Sequence, residues 1–235
     1  AENLGGSTLA AVFIEPVAGS TGTLVPPEGY LQKVREICDK HGMLLVFDEV
    51  ITGFGRMGTP FATQKFDVRP DIITMAKAIT NGAIPMGAVA VTDEIYDTVT
   101  NAAPESAIEF FHGYTYSAHP AACAAGIATQ KIYEEDGLFE NAANLEAYFL
   151  DAIYSLKDHP MIVDIRGIGM MAGVEVASDG VPGHRGGEMQ KAMFWNGLHV
   201  KWTGDNAIIA PAFVAERKHI DEIVDKFRKT LDDMM

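Results

Sequence analysis

The chain has 235 residues, of which 48% are hydrophobic and 21% charged, and a formal net charge of −14. That acidity is spread along the chain, which argues against nucleic acid or an anionic membrane surface as a partner. No apolar run reaches the eighteen or so residues of a membrane span, and two cysteines, Cys38 and Cys123, are too few for a disulfide framework.

The first residues, AENLGGST, carry no basic n-region of a signal peptide. Leu9 to Ile14 is a short apolar run and predicts a strand buried on both faces, as in a parallel sheet. Pro26-Pro27 opens a helix with Tyr30, Leu31, Val34, Ile37 and Cys38 as its apolar stripe, and Gly42 sits at the left-handed cap position. A strand follows over Met43–Phe47, then the glycine-rich loop Gly53 to Gly58. Ile72–Met75 and Ala88–Val91 are two further apolar segments. Strands separated by helices or long crossovers predict an α/β fold with a mostly parallel sheet.

The pattern changes after Pro120. Ala121–Glu134 reads as a helix of small residues, and Leu138, Ala142, Leu145, Phe149, Ala152, Ile153 and Leu156 mark a long amphipathic one. Val163–Ile165 and Met171–Val176 read as strands bracketing Arg166-Gly167-Ile168-Gly169. Ser178–Gly187 reads as a polar loop, Met189–Trp195 as a helix, and two short strands surround Gly204-Asp205. A last helix carries Ile220, Ile223, Val224, Phe227 and Leu231. The expected division is 1–135 as one α/β domain and 136–235 as a smaller α+β domain. Both cysteines fall in apolar helical patterns and read as reduced core residues of a cytoplasmic protein.

In parallel α/β sheets ligands bind beyond the carboxyl ends of the strands. Asp48-Glu49 ends one apolar strand, and Lys77 lies just past another. An acidic strand end suits either the Mg²⁺ acid of a P-loop hydrolase or an acid paired with the pyridine nitrogen of pyridoxal phosphate. The same pair also reads as an ordinary strand end or helix cap. Asp48 follows apolar residues and is expected to be poorly solvated and in need of a cation. Lys77, between Ala76 and Ala78, is expected to be partly desolvated, hence nucleophilic. Strand alternation would put Asp48 and Val50 on one face and Glu49 on the other. A cofactor aldehyde on Lys77 would then meet Asp48 with its ring nitrogen and Val50 with its ring. In GFGRMG, Arg56 reads as tying the loop down. The seven histidines are scattered without metal-ligand spacing, so no metal site is expected.

The run Val46 to Gly58, with Asp71-Ile-Ile-Thr-Met-Ala-Lys77 and Asn81-Gly82, resembles the signature of the class III (ω-) aminotransferases, pyridoxal phosphate enzymes of fold type I. The similarity extends through AAVFIEPVAGSTGTLVPPEGYLQKVREICDKHG, FFHGYTYSAHPAACAAG, RGIGMMAGVEV and TGDNAIIAPAF. Within that family, the FFHGYTYSAHP segment is most like the β-alanine:pyruvate branch. The resemblance implies an amino group moved from an ω-amino acid or amine to pyruvate or a similar keto acid through a Schiff base on Lys77. Lys77 would also shuttle the proton, Asp48 would keep the pyridine nitrogen protonated, and Val50 would pack on the ring. Thr115 would reach the cofactor phosphate of a partner subunit, making the enzyme a homodimer. Residues 1–135 would be part of the large cofactor domain and 136–235 the small one.

Three departures from the family pattern stand out. Family chains are roughly twice as long, and their upstream phosphate-binding loop and ring-stacking aromatic have no counterpart here. Weak or no cofactor retention, and a non-catalytic half, are therefore the expectations that compete with an active enzyme. Where relatives often carry an arginine for the substrate carboxylate, Lys201 stands in VKWTGD, without the bidentate fork. Ile51 follows the DEV triplet where ornithine and γ-aminobutyrate enzymes have Gln, which favours the ω-amino acid:pyruvate branch. The P-loop alternative rests on Gly82 to Gly87, which has the glycines but lacks the lysine and hydroxyl that motif needs.

Overall fold

The computed structural model describes residues 8–108, 110 and 112–235. Strands β1 (Ala11–Ile14), β2 (Leu44–Asp48), β3 (Ile72–Met75) and β4 (Ala88–Val91) form one sheet in the order β1-β2-β3-β4. The first three are parallel, and β4 runs antiparallel to β3. The reversal follows from the connection. Residues 76–87 hold only a 3-10 turn, Lys77–Ile79, and a parallel return needs a crossover of about a dozen residues or more, usually a helix.

Helix α1 (Tyr30–His41) starts three residues after Pro27. The Tyr30 N–H donates to the Pro27 carbonyl, and Gly29, at φ +78°, turns the chain into the helix. Gly42 caps its far end at φ +63°, as the sequence predicts. Leu31 and Cys38 of α1 pack on Met43, Leu45, Phe47 and Val68, which fills one side of the sheet. The other side is different. The register sets Phe13 beside Val46, Val46 beside Ile72, and Thr74 beside Val89. Phe13 is 60% exposed and Val89 64%. The expected two-sided burial of β1 is therefore corrected: Phe13 is exposed on that face, although its neighbour Val46 on β2 is 5% exposed.

The acidic pair at the end of β2 divides its labour. Glu49 is fully buried and turns toward helix α2 (Ala62–Phe66). Its Oε2 accepts the Ala62 N–H at 2.7 Å and the Thr52 hydroxyl at 2.9 Å, and its Oε1 accepts the Thr63 N–H at 3.0 Å. A carboxylate there satisfies the orphan donors and the positive end of the helix. Helix α2 and helix α3 (Asp93–Asn101) were not expected from periodicity. Five residues show no period, and α3 buries none of its residues.

After α4 (Pro120–Glu135) and α5 (Leu138–Tyr154), strands β5 (Ile162–Ile168), β6 (Met171–Val176), β7 (Lys201–Thr203) and β8 (Asn206–Ile209) make a second sheet, ordered β5-β6-β8-β7 and antiparallel throughout. Helices α6 (His184–Trp195) and α7 (Arg217–Asp233) complete it. Phe149, Ile153, Met189, Met193, Phe227 and Leu231 are central to its core. Two boundaries differ from expectation. β5 continues through Arg166 to Ile168, leaving only Gly169-Met170 as the turn. α6 begins five residues before Met189, because Asp205 accepts the N–H groups of Gly183 and Gly186 at 3.2 and 2.9 Å. Gly186 permits that cap: a Cβ there would lie 1.9 Å from the Gly204 carbonyl oxygen.

The two sheets are joined at the Gly53–Gly58 loop. The Met170 N–H donates to the Arg56 carbonyl at 2.9 Å. Gly169, at φ +58°, comes so close that a Cβ would sit 2.4 Å from that same oxygen. A second tie runs from Arg166 Nε to the Gly22 carbonyl at 2.8 Å.

Candidate active site

Where the sheets meet lies a cavity of about 380 Å³, with Val50, Arg56, Lys77, His199, Lys201 and Phe213 in its wall. Val50 comes from the turn after β2 and Lys77 from the turn after β3, as expected of strand ends in such a sheet. The second sheet contributes Lys201. No Asp or Glu among the described residues lines this space. An acidic chain has thus built a cavity with a basic wall.

Lys77 opens the 3-10 turn at φ +47°, a left-handed conformation that L-residues with side chains seldom adopt. The turn is held from outside. The Tyr133 hydroxyl donates to the Ala78 carbonyl at 2.8 Å and Gln130 Nε2 to the Ile79 carbonyl at 3.2 Å, both from α4. The turn presents the lysine outward, so Lys77 is exposed rather than partly desolvated as expected. Its amine has no hydrogen-bond or ion-pair partner among the described residues.

Asp48 is half-buried, and its Oδ1 accepts the Val50 N–H at 3.0 Å. No cation pairs with it among the described residues, contrary to the expected need for one. The strand ends at Asp48, so Val50 reaches the cavity through a turn and not through continued alternation. Asp48 is not itself in the cavity wall, but its hydrogen bond ties it to a residue that is. Its register neighbour Thr74 has a buried hydroxyl without a partner. Thr115 lies exposed in the turn 115–118 and does not line the cavity. Lys201 is exposed on β7 and does.

Arg56 does tie its loop down, as its place in GFGRMG suggests. Nη1 donates to the carbonyls of Met170 and Pro211, both at 2.8 Å, and the guanidinium lies over Phe213 with Cζ 4.5 Å from the ring centroid. Burial without a carboxylate pushes its pKa down to about 10. The presence of Arg56 and His199 in the cavity wall was not foreseen. For Arg56 the available signal was an arginine in a glycine-rich loop directly after an acidic strand end; for His199 it was its spacing two residues before Lys201. The P-loop alternative fails on structure: Gly82–Gly87 leads from a 3-10 turn into β4 and opens no helix.

The structure thus sets an acid and a lysine at neighbouring ends of a parallel-containing α/β sheet, joined to an antiparallel sheet across a basic cavity. The class-III aminotransferase family model matches residues 2–231, and the chain belongs to that family. It is 53% identical to an omega-aminotransferase of Caulobacter vibrioides, over 96% of this chain and 51% of that protein. It is 46% identical to a beta-alanine–pyruvate aminotransferase of Pseudomonas aeruginosa, again over 96% and 51%. Its fold superposes on an (S)-enantioselective omega-transaminase of Thermomicrobium roseum with a TM-score of 0.93 at 39% identity, covering all of this chain and 53% of that one. The chain spans about half the length of the curated relatives it matches.

Proposed function

We propose that the protein of which this chain forms at least part is a pyridoxal phosphate-dependent transaminase that moves an amino group from an ω-amino acid such as β-alanine to pyruvate or a similar keto acid. The observation that carries this reading is the placement of Lys77, an unpartnered amine in a strained, externally held turn, at the same cavity as Val50. The residues present fit the cofactor. Lys77 offers a free primary amine to hold it, Asp48 a carboxylate for its ring nitrogen, and Val50 an apolar wall for its ring. Thr115 is exposed and lies outside this cavity's wall, which suits a role at a second copy's cofactor phosphate in a homodimer. The sequence falls into a large-domain part, 1–135, and a small domain, 136–235, with the cavity between them. Cys38 and Cys123, both free thiols, suit a cytoplasmic enzyme.

When bound, pyridoxal phosphate supplies an electron sink for the pair left when a proton leaves the carbon next to nitrogen. Lys77, whose amine would hold the cofactor, would also be the base that takes and returns that proton. Its freedom from ion pairs keeps the amine available for both tasks. Asp48, with Oδ1 fixed by Val50, keeps Oδ2 for holding a proton on the ring nitrogen. Lys201 adds positive charge for an anionic substrate.

The test is direct. Pyridoxal phosphate at millimolar concentration followed by borohydride is expected to fix the cofactor on Lys77, read by peptide mass. Addition to the other lysines at equal yield would sink the reading. The enzyme is further expected to convert β-alanine and pyruvate to malonate semialdehyde and alanine, read by chromatography.

A further inference from the structure

Arg56 is the least exposed cation of the cavity wall, and only part of it is used. Its Nη1 serves two backbone carbonyls and one of its faces stacks on Phe213. Nε and Nη2 donate to nothing among the described residues, and no carboxylate pairs with the guanidinium. An arginine stays charged at neutral pH, and Arg56 is half-buried with no carboxylate partner among the described residues, its charge met only by two carbonyls and one ring face. Proteins pair such charges or place them where a ligand will. The cavity offers no acid of its own. What remains is a planar donor set, oriented by three contacts, whose natural complement is a carboxylate.

We propose that Arg56 binds the carboxylate of the amine donor and of the keto acid through its unused Nε and Nη2. The proposal rests on the transaminase reading of this cavity and names the residue that holds the carboxylate of its substrates. It gives the bidentate grip to Arg56 and leaves Lys201 to add positive charge alone. Lys201 is exposed and its ammonium has no fork, whereas Arg56 is already fixed before substrate arrives. A phosphate is the other oxyanion that this donor set would accept, and the experiment separates the two.

The 235-residue chain, with ¹³C,¹⁵N-labelled arginine, is titrated with propionate, pyruvate, propionamide and inorganic phosphate. The Arg56 side-chain resonances are expected to move saturably with both acids, and not with the amide. Phosphate is expected to act more weakly than either acid. Still resonances, or tighter binding of phosphate than of the acids, would overturn the proposal. Arg56→Lys, checked for folding by circular dichroism, is expected to weaken acid binding at least tenfold. A smaller loss would overturn the bidentate role, and the wild-type titration decides if that variant does not fold. Borohydride fixation on Lys77 in the same samples keeps the two ideas apart. Label on Lys77 with a silent Arg56 sinks this inference alone. A responsive Arg56 with no label on Lys77 sinks the transaminase reading alone.

Discussion

Replacing Lys77 by alanine is expected to lower the transamination rate by at least about 10³-fold, within the range contributed by a positioned acid-base group. Borohydride fixation at that position should vanish. The fold should not suffer. Lys77 is exposed and its amine touches no described partner, so the unfolding free energy should stay within about 0.5 kcal/mol. Lys77→Gly sharpens the contrast. At φ +47° a lysine backbone carries strain of order 1 kcal/mol, and glycine removes it. The glycine variant is expected to be inactive yet at least as stable as the wild type. Steady-state rates with β-alanine and pyruvate, beside urea unfolding followed by circular dichroism, check both halves. A glycine variant that unfolds more easily would show that the lysine side chain is structural after all.

Glu49 should behave in the opposite way. Glu49→Ala is expected to cost about 3 kcal/mol of stability, because it strands two helix N–H groups and the Thr52 hydroxyl in a dry site. That is a large share of the 5–15 kcal/mol typical of a folded protein. The pH dependence follows from its environment. Burial pushes the Glu49 carboxyl above its ordinary 4.5, against the three donors that pull it down. The folded state therefore holds this proton to higher pH than the unfolded state. The stability that proton confers is complete below about 4.5 and is lost as pH rises through the raised folded value. The wild type should lose urea resistance across that window, and the alanine variant should lack that component. Paired urea titrations at several pH values are the measurement. An alanine variant as stable as the wild type would mean that α2 does not depend on this carboxylate.

The two acids of this pair also show what a sequence reveals. The placement of Asp48 and Lys77 at strand ends was legible because such ends are set by local apolar runs. The long helices α5 and α7 were legible because periodicity over many residues is hard to mimic, and α4 from its run of small residues. Glu49 could be read only as one of several possible helix caps, since its partners lie 13 and 14 positions away. The start of α6 was hidden for the same reason: Asp205, from beyond the helix's far end, creates it. The exposure of Lys77 depended on how a 3-10 turn sits under α4, which no local pattern encodes. The two-sided burial expected for β1 failed because an apolar run reports what a strand can bury and not what covers it.

The basic wall inside an acidic chain has a kinetic corollary. At distances beyond about 10 Å in 0.1 M salt a charged ligand senses little of the protein, and closer in it first meets the acidic exterior. On the proposed reading, an approaching anion would be repelled before Arg56, Lys77 and Lys201 attract it. Ionic strength acts on these two zones unequally, because the exterior is screened and the half-buried guanidinium less so. Salt, which slows most electrostatically steered encounters, would here ease the entry of the anion while leaving its grip within the cavity nearly intact.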